Sequence, residues 1–493
     1  MKTHIRKFCL IFALLQINTF LNAQQSFQIL FSVSNRSETV GSVIEDASGN
    51  FLIVGIQTKI EYPTQQGMLW RISSTGDTLS KVFSFGDSTS TFYDILQKEN
   101  GNYVVFGFIR GATDFIDNLL ILELNSDLQI LNKKVTVLPE MQKSYVFLMK
   151  KHLQFYYILL GNYGPDSNPP FLHDPYFVKL NNNFDTVMTR RYSIAGNQYA
   201  TDMIFSPDGS QIWLFANSYF YEYTGASLEQ MVIYDTLFNF ISVKTFQDYF
   251  VDRNTKAKWW TDSTFLLGFQ HDDYESHEQD LAFTEIDSTL IITNVATIGA
   301  SDTIDYLVSK TGFDFVNQDS IHFAGTKNIV VAFWPQEPSW LWVGLLDRNL
   351  NPLYERFYGG DAYYHAANMI RTRDGGVFVA ATRYNYLVHN DFNDAFFLKV
   401  NNEGLVTNLS MPPLCPMQSV VIYPNPGTDH VNLLLSESTA LCQILDLCGR
   451  IVFDKMLVNG LNRINCSHFK PGAYLINIET NRGVNQQYKW IKR

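Results

Sequence analysis

A short apolar segment that ends in a small residue recurs along this chain at an almost constant interval. Its seven copies end at Gly55, Gly107, Gly161, Ala216, Gly268, Gly325 and Ala381. Successive copies therefore lie 52 to 57 residues apart. A fixed period of this length indicates a repeat architecture, in which each copy is one supersecondary unit that packs on its neighbours.

Each copy contains signals for four short strands. The recurring segment is followed by a second apolar run, such as Leu120–Leu124 or Phe396–Val400, and then by two further extended segments bounded by Gly, Asn, Asp or Ser. Aromatic residues make up 15% of the chain, which favours strands. Many runs are apolar at every position, as expected for strands buried on both faces. The sequence therefore predicts an all-β fold, a seven-bladed β-propeller over residues 24–410.

A string of β-sandwiches is the competing arrangement, but each sandwich needs about 100 residues, roughly twice the observed period. Copies one, two and seven also resemble the repeats of propellers in secreted bacterial proteins, and Asp374-Gly375-Gly376 is the clearest match. The strand Phe27–Val33 has no turn partner before it. We expect this strand to complete the last blade and to close the ring, which would leave no open edge there.

The first 23 residues have the composition of a secretory signal peptide. Basic residues precede a short apolar run, Phe8–Leu15, and Ala23 offers a small-residue cleavage position. The apolar run is too short to span a bilayer. Cys9 lies inside that run and no cysteine closely follows it, so a lipid anchor is not expected. No later run approaches transmembrane length, so the mature chain is expected to lack a membrane-spanning segment.

Charge is unevenly distributed along the chain. The whole sequence has a formal net charge of -11, yet the residues from Ser419 onward contain eight Lys or Arg and only five Asp or Glu. The repeat region is therefore strongly acidic and should be repelled by nucleic acid. Neutral glycans, proteins, and acidic polymers bridged by a divalent metal remain open as ligands.

The last 75 residues carry turn and strand motifs of their own, after a Pro-rich linker at 411–418. They predict a small antiparallel β-sandwich over residues 419–493. The ordered motifs closely resemble the type A C-terminal sorting domain of the type IX secretion system. The residues that carry this resemblance include Tyr423, Pro424, Asn425, Pro426, Gly449, Arg450, Pro471, Gly472 and Tyr474.

The resemblance has implications for export. A member of this family crosses the inner membrane by its signal peptide, and the type IX secretion machinery then recognises its C-terminal domain and moves the protein across the outer membrane. The domain is commonly cleaved, and the protein is released or attached to the cell surface. A secreted or surface location is therefore expected. The resemblance carries no information about the work of the repeat region.

Four cysteines survive removal of the signal peptide, and all lie near the C-terminus: Cys415, Cys442, Cys448 and Cys466. Export permits disulfides, and four cysteines allow three pairings. A zinc site is the alternative, but the spacings lack the close Cys-x2-Cys pairs typical of one. The pairing therefore stays open at this stage.

Candidate binding residues collect between the second and third strands of the repeats, where the sequence predicts long loops on one face. One such loop is Gln270–Asp280. Its His271, Asp272, Asp273 and His277 could hold calcium or a transition metal, and the alternative is a solvated acidic loop. Asp347, Asn349 and Asn351 also have calcium-loop spacing. The same kind of turn, however, joins the third and fourth strands in other copies of the repeat. We therefore interpret these residues as an ordinary turn and assign them no metal.

The sequence contains no nucleophile elbow, zinc-protease motif or P-loop. Our first hypothesis is a secreted or cell-surface β-propeller that binds a glycan or a protein without catalysis, with no cofactor beyond calcium, should the acidic loop hold it. The alternative is a secreted polysaccharide-acting enzyme, a glycosidase or lyase, with its site on the loop face. An enzyme should bring two or three carboxylates with perturbed pKa values together near the axis.

Overall fold

A computed structural model of the protein describes residues 25–407 and 420–493, apart from residues 60–63, 112–115, 140, 142–143, 164–172, 193–196, 220–226, 246–250, 274–277, 288, 290, 300–302, 309, 331–334, 389–391, 424–425, 447–449 and 481–484. The predicted signal peptide and linker lie outside the described residues. The chain divides into two compact units, Met1–Pro412 and Pro413–Arg493. Every regular element in the described residues is a β-strand.

The described strands of the first unit form seven sheets, called blades 1 to 7 in chain order. Strand β1 (Phe27–Phe31) precedes the repeats. Blade 1 contains β2 (Arg36–Glu45), β3 (Phe51–Lys59), β4 (Gln65–Ile72) and β5 (Thr78–Phe83). Blade 2 contains β6 (Thr89–Gln97), β7 (Tyr103–Arg110), β8 (Asn118–Leu124) and β9 (Ile130–Thr136). Blade 3 contains β10 (Ser144–His152), β11 (Phe155–Tyr163), β12 (His173–Leu180) and β13 (Thr186–Arg191).

The remaining blades follow the same plan. Blade 4 contains β14 (Asn197–Phe205), β15 (Gln211–Tyr219), β16 (Ser227–Asp235) and β17 (Phe240–Thr245). Blade 5 contains β18 (Val251–Trp259), β19 (Thr264–Asp273), β20 (Glu278–Asp287) and β21 (Ile292–Ile298). Blade 6 contains β22 (Tyr306–Leu307), β23 (Phe313–Phe315), β24 (Ile321–Lys327), β25 (Trp340–Leu346) and β26 (Pro352–Gly359). Blade 7 contains β27 (Tyr363–Arg371), β28 (Val377–Tyr384) and β29 (Asn393–Val400).

The blades are antiparallel sheets arranged in a closed ring. Within each blade the strands pair in chain order, and in blade 6 the first strand is split into β22 and β23. The first strands β2, β6, β10 and β14 each contact the first strand of the next blade, β22 of blade 6 contacts β19 and β20 of blade 5, β23 contacts β27 of blade 7, and β27 contacts β2 of blade 1. The first unit is therefore a β-propeller, as the repeats predict, with the first strand of each blade innermost.

Strand β1 closes this ring. It pairs antiparallel with β29, which gives blade 7 the sheet order β1-β29-β28-β27. The Phe27 ring packs edge-on against Phe51 of blade 1 and Phe378 of blade 7. The prediction for the N-terminal strand is confirmed, because the two ends of the repeat region share one sheet.

The second strand of each blade lies in the cores between blades. The first five residues of β3 and all but the last residue of β7 are buried, and one apolar cluster joins residues of blades 1 and 2. The glycines that end the recurring segment allow close approach. A Cβ at Gly55 would lie 2.1 Å from the Thr39 carbonyl oxygen, and one at Gly107 would lie 1.9 Å from that of Thr91. The repeated small residue is therefore a steric requirement.

The turns between the third and fourth strands insert side chains into the preceding blade. Asp235 shows the pattern, because its carboxylate accepts the backbone N–H groups of Leu237 and Asn239, each at 2.8 Å. Phe238 then adopts a φ of 60° and is fully buried against Tyr157 and Phe177 of blade 3. An Asx side chain thus holds an apolar residue in the left-handed region.

The second unit contains β30 (Val420–Tyr423), β31 (His430–Leu445), β32 (Ile451–Asn465), β33 (Gly472–Thr480) and β34 (Asn485–Lys492). These five strands form one continuous sheet, because the long β31 pairs with β30 in its first half and with β33 in its second. A register shift between Leu435 and Thr439 separates the halves. Residues from both halves share one core cluster, so the sheet buries one face against itself.

Candidate functional site

The innermost strands have irregular pairing, and this irregularity positions polar side chains. Register shifts interrupt β6 between Phe92 and Asp94, β14 between Ala200 and Asp202, and β18 between Arg253 and Lys256. Strands β2 and β27 have shifts at matching places. A β-bulge leaves a residue unpaired and re-aims the side chains that follow it. Polar residues occupy these positions in blade after blade.

One ion pair joins blades that are not neighbours. The Lys310 ammonium lies 3.1 Å from Asp94 Oδ2 and also donates to the Tyr93 carbonyl oxygen. Lys310 belongs to blade 6 and Asp94 to blade 2, so this pair crosses the ring. Burial lowers the pKa of Lys310, while the Asp94 carboxylate opposes that effect.

A second ion pair and two amide contacts continue the arrangement. Lys150 of blade 3 lies 3.0 Å from Asp202 Oδ1 of blade 4, and Asp202 Oδ2 accepts the Ala257 backbone N–H at 3.0 Å. Lys256 of blade 5 donates to the Thr201 carbonyl oxygen. Asn368 of blade 7 accepts a hydrogen bond from Thr311 at 2.7 Å and donates to Ser42 of blade 1 at 3.5 Å.

We call these groups the axial network, with one member from each blade: Ser42, Asp94, Lys150, Asp202, Lys256, Lys310 and Asn368. Both of its carboxylates are paired with lysines, and each also accepts a backbone N–H. Lys256 and Lys310 donate to carbonyl groups of the innermost strands. Because an innermost strand has no partner on its axial side, these charges satisfy an otherwise open edge.

Carboxyl groups of a different kind lie at the junction of blades 7 and 1. Glu38 of β2 is fully buried, and its Oε1 accepts a hydrogen bond from Gln57 at 3.0 Å. Its Oε2 is buried, and the described residues offer it no hydrogen-bond partner. Burial, with a smaller contribution from the Asp394 carboxyl, raises the pKa of Glu38 to about 8. Burial also raises the pKa of Asp394.

An arginine separates Asp394 from a second carboxylate. Arg383 lies 3.9 Å from Asp394 and 3.0 Å from Asp361, and it donates to the Tyr364 hydroxyl at 3.1 Å. Tyr364 in turn donates to Asp361 at 2.8 Å. Although burial acts to raise it, the pKa of Asp361 is lowered by these hydrogen bonds. The hydrogen bonds thus favour the ionised form of Asp361, whereas burial disfavours the ionised form of Asp394.

The junction of blades 5 and 6 holds another buried carboxyl group. Asp305 is fully buried, and its Oδ1 accepts hydrogen bonds from Thr303 at 3.0 Å and from the Asn328 backbone at 3.1 Å. Burial raises the pKa of Asp305 to about 6, and the Asp280 carboxylate adds to this rise. The carboxyl groups whose pKa values are raised therefore lie at blade junctions, whereas the carboxylates of the axial network are ion-paired with lysines.

The sequence-predicted metal residues lie in and beside a hairpin. His271, Asp272 and Asp273 are the last residues of β19, and His271 stands opposite Asp280 of β20. His277 and the side chains of Asp272 and Asp273 lie outside the described residues. Within the described part of the chain, no group of three His, Cys, Asp or Glu residues could hold a metal ion. Calcium binding here stays a prediction.

The predicted loops are shorter than expected. Residues 270–273 and 278–280, which the sequence assigns to a loop, belong to strands. Polar side chains misled that prediction, because these strand ends pair with each other regardless of polarity. The Asp347 turn is confirmed as an ordinary turn. Its carboxylate accepts the Asn349 and Asn351 backbone N–H groups, each at 2.8 Å.

Sorting-motif residues fall at strand ends and turns of the second unit. Tyr423 ends β30, Gly472 begins β33, and Pro426 and Pro471 are exposed. Pro424, Asn425 and Gly449 lie outside the described residues. Arg450 pairs with Asp446 at 2.8 Å.

A buried aromatic group supports the last of these turns. The Tyr474 hydroxyl donates to the Lys470 carbonyl oxygen at 2.8 Å, and its ring packs against Phe469 and Trp490. The motif thus fixes a turn and anchors it in the core.

Two of the four cysteines are described. Cys442 and Cys466 are free thiols that belong to the core of the second unit. Burial raises the pKa of Cys442 to about 12 and that of Cys466 to about 11. Both are therefore protonated apolar groups at neutral pH. Cys415 and Cys448 lie outside the described residues.

Sequence reasoning missed the axial network, although one signal was available. Asp94 and Asp202 lie two repeat periods apart, and Lys256 and Lys310 lie one period apart. Charged residues that recur at the repeat interval indicate a shared position in successive blades. Glu38 has no such counterpart and could not have been identified this way.

Residues 421–493 match the family model of the secretion system C-terminal sorting domain. This match confirms the resemblance drawn from the motifs and indicates export to the cell surface or secretion. No curated protein matches the chain. In the part of the chain that the structure describes, no helix has the length and apolar character needed to cross a membrane.

Several solved structures are similar in fold. The polysaccharide lyase Uly1 is 9% identical, with 75% of this chain and 91% of that chain covered and a TM-score of 0.45. The β-propeller domain of the Trilobed protease from Pyrococcus furiosus is 8% identical, with 77% and 99% covered and a TM-score of 0.44. The NanB sialidase from Streptococcus pneumoniae is 10% identical, with 79% and 72% covered and a TM-score of 0.40. Identities this low bear on the fold alone.

Proposed function

We propose that this secreted or cell-surface protein is a non-enzymatic binding module, and that its propeller presents a glycan- or protein-binding surface after export by the type IX machinery. The observation that carries the proposal is the chemistry of the axial network. Asp94 and Asp202 are each bonded to a lysine and to a backbone N–H. A general acid or base must be able to exchange a proton with substrate. These carboxylates instead neutralise lysines of other blades.

The axial lysines support the same conclusion. Lys256 is almost fully buried, and Lys256 and Lys310 both donate to backbone carbonyl oxygens. Their charges are used to close the open edges of innermost strands. The axis therefore stabilises the ring, and ligand contacts belong to the surfaces around it.

A thermal-shift screen of the exported chain, from Gln24 to Arg493, tests the proposal. The panel contains neutral and acidic glycans, each with and without calcium, and soluble surface proteins. A ligand at a hundred times its dissociation constant adds about 2.7 kcal/mol to the free energy of unfolding. We expect a hit that is bound and recovered intact. A hit that the protein cleaves would refute the non-enzymatic role.

The screen also tests the predicted metal residues. A shift with calcium alone that is lost in the variant His271→Ala would support a metal site at the end of β19. A shift with calcium that survives this substitution would place the ion elsewhere.

A polysaccharide-acting enzyme is the second candidate, and the pair Glu38 and Asp394 favours it. Raised pKa values of neighbouring carboxyl groups are typical of acid catalysts. Against this role, Glu38 is fully buried, so substrate could not reach it in this conformation. The enzyme reading predicts that Glu38→Gln abolishes cleavage of any glycan the protein acts on. The binding reading predicts no cleavage by either form.

A further inference from the structure

A polar cleft opens at the junction of blades 5 and 6, formed by the short turns and strands next to them. It encloses about 390 Å³, which lies in the lower part of the range of about 300–1,000 Å³ for small-molecule sites. Blade 5 and blade 6 both contribute to it. Its lining residues are Trp260, Thr261, Glu285, Thr293, Asn294, Gln318, Arg348 and Asn349.

The cleft is preorganised by bonds between its own walls. Asn294 of β21 donates its side-chain N–H to the Asn349 carbonyl oxygen at 3.3 Å, which ties the two blades together. Thr293 donates to the Glu285 carbonyl oxygen at 3.3 Å. Glu285 and Asn294 are register partners in adjacent strands. The polar walls are therefore held by rigid elements, which favours binding without a large ordering cost.

Several strong hydrogen-bonding groups in the cleft have no protein partner among the described residues. Glu285 and Arg348 line the same cleft, yet they form no ion pair with each other or with any other described residue. Trp260 is only 7% exposed, and its buried Nε1–H has no acceptor among the described residues. The Glu285 carboxylate and the Arg348 guanidinium are therefore available to a ligand in the cleft.

We propose that this cleft is a binding site for a short, neutral saccharide segment. Glu285 supplies two acceptors, Arg348 a planar set of donors, and the amides of Gln318 and Asn349 supply both. Vicinal hydroxyl groups donate and accept at the same time, so they match this mixture. One carboxylate and one guanidinium leave the cleft without net charge. An anionic ligand would be repelled by Glu285 and a cationic ligand by Arg348. The pair of charges therefore favours a neutral ligand. The inference rests on the proposed binding function and specifies its ligand class.

The test is an array of neutral glycans, acidic glycans and surface proteins, probed with the exported chain and three variants. Glu285→Ala and Arg348→Ala each remove a charged hydrogen-bonding group. Glu403→Ala is the matched control, because Glu403 is an exposed carboxylate in the corresponding short turn of blade 7. Loss of a hydrogen bond to a charged group is worth about 1.5–3 kcal/mol, or roughly a 10- to 100-fold weaker affinity.

We expect a neutral oligosaccharide to bind, with this loss of affinity in Glu285→Ala and Arg348→Ala and none in Glu403→Ala, at unchanged circular dichroism. Unchanged binding in both cleft variants would overturn the site and leave the binding function intact. Binding of only acidic glycans or proteins would also overturn the neutral-saccharide assignment. Failure to bind any glycan or protein would overturn the proposed function itself.

Discussion

Buried carboxyl groups near the propeller axis and buried carboxyl groups at the blade junctions differ in their partners. Asp94 and Asp202 near the axis face lysines at 3.1 and 3.0 Å. Glu38 and Asp305 at blade junctions have no cationic partner within ion-pair distance among the described residues, and burial raises their pKa values to about 8 and about 6. The difference teaches that burial alone does not set the charge of a group here. The presence of a cationic partner also matters: Asp94 and Asp202 have one, whereas Glu38 and Asp305 have none among the described residues.

The largest effect is expected from breaking the trans-axial pair. The variant Lys310→Met leaves Asp94 buried without its cation, and such a loss costs about 3–5 kcal/mol of the free energy of unfolding. Urea unfolding at neutral pH measures it. The exposed pair of Lys134 with Asp185 is the matched control. A loss under about 1 kcal/mol for Lys310→Met would mean that the axis is no more important than the surface.

Glu38 should make the protein less stable as pH rises. The folded state keeps its proton up to a pKa of about 8, whereas the unfolded chain releases it near 4.5. Because the folded state binds more protons between these values, stability is fully present below the lower one and falls through this window. Between pH 5 and pH 8, the free energy of unfolding should fall less in the variant Glu38→Gln than in the parent protein. The expected difference is on the order of 3 kcal/mol. Parallel pH profiles for the two proteins would contradict the assignment.

Asp305 should show the same sign over a narrower window. Its folded-state pKa of about 6 lies above its unfolded value of 3.8, so stability should fall as pH rises between them. The variant Asp305→Asn keeps an acceptor for Thr303 and the Asn328 backbone. It should remove about 1–2 kcal/mol of that decline. Urea unfolding at pH 4 and pH 7 gives the difference. An equal loss at both values would indicate a packing defect instead.

The smallest effect is expected from the exposed ion pair. The variant Lys134→Met removes a contact whose Asp185 side chain is 60% exposed. Exposed pairs contribute little to the free energy of unfolding, and salt screens them. Urea unfolding is measured in low and in high salt. The free energies of unfolding of the variant and the parent protein should become equal at high salt. A larger loss of stability that does not depend on salt would show that this exposed pair contributes as the axial pair does.

The repeat region and its closure could be predicted from the sequence, because a fixed period constrains every copy at once. Strand β1 was predictable for the same reason, since a ring of sheets needs its last edge covered. The axial pairing was not, because Lys310 and Tyr93, the neighbour of Asp94, are 217 residues apart and meet only when the ring closes. No local pattern encodes which blades face each other across an axis.

The candidate binding residues show the complementary limit. Polarity placed Gln270–Asp280 in a loop, yet most of it lies in paired strands. The cleft beside Trp260 and Glu285 was invisible in the sequence, because short turns carry no signal for the space between two blades. The sorting-domain motifs were readable because they are local turns, and the family match confirms them.

A double-variant cycle at the axis tests the central claim that these charges serve the fold. Lys310→Met and Asp94→Leu are compared alone and together for urea unfolding and for binding of the glycans or proteins found by thermal shift. We predict that the double variant recovers most of the stability lost by Lys310→Met, because a matched apolar pair leaves no buried charge, and that it binds as the parent protein does. A double variant that is stable but no longer binds would place the functional site at the axis and contradict this account.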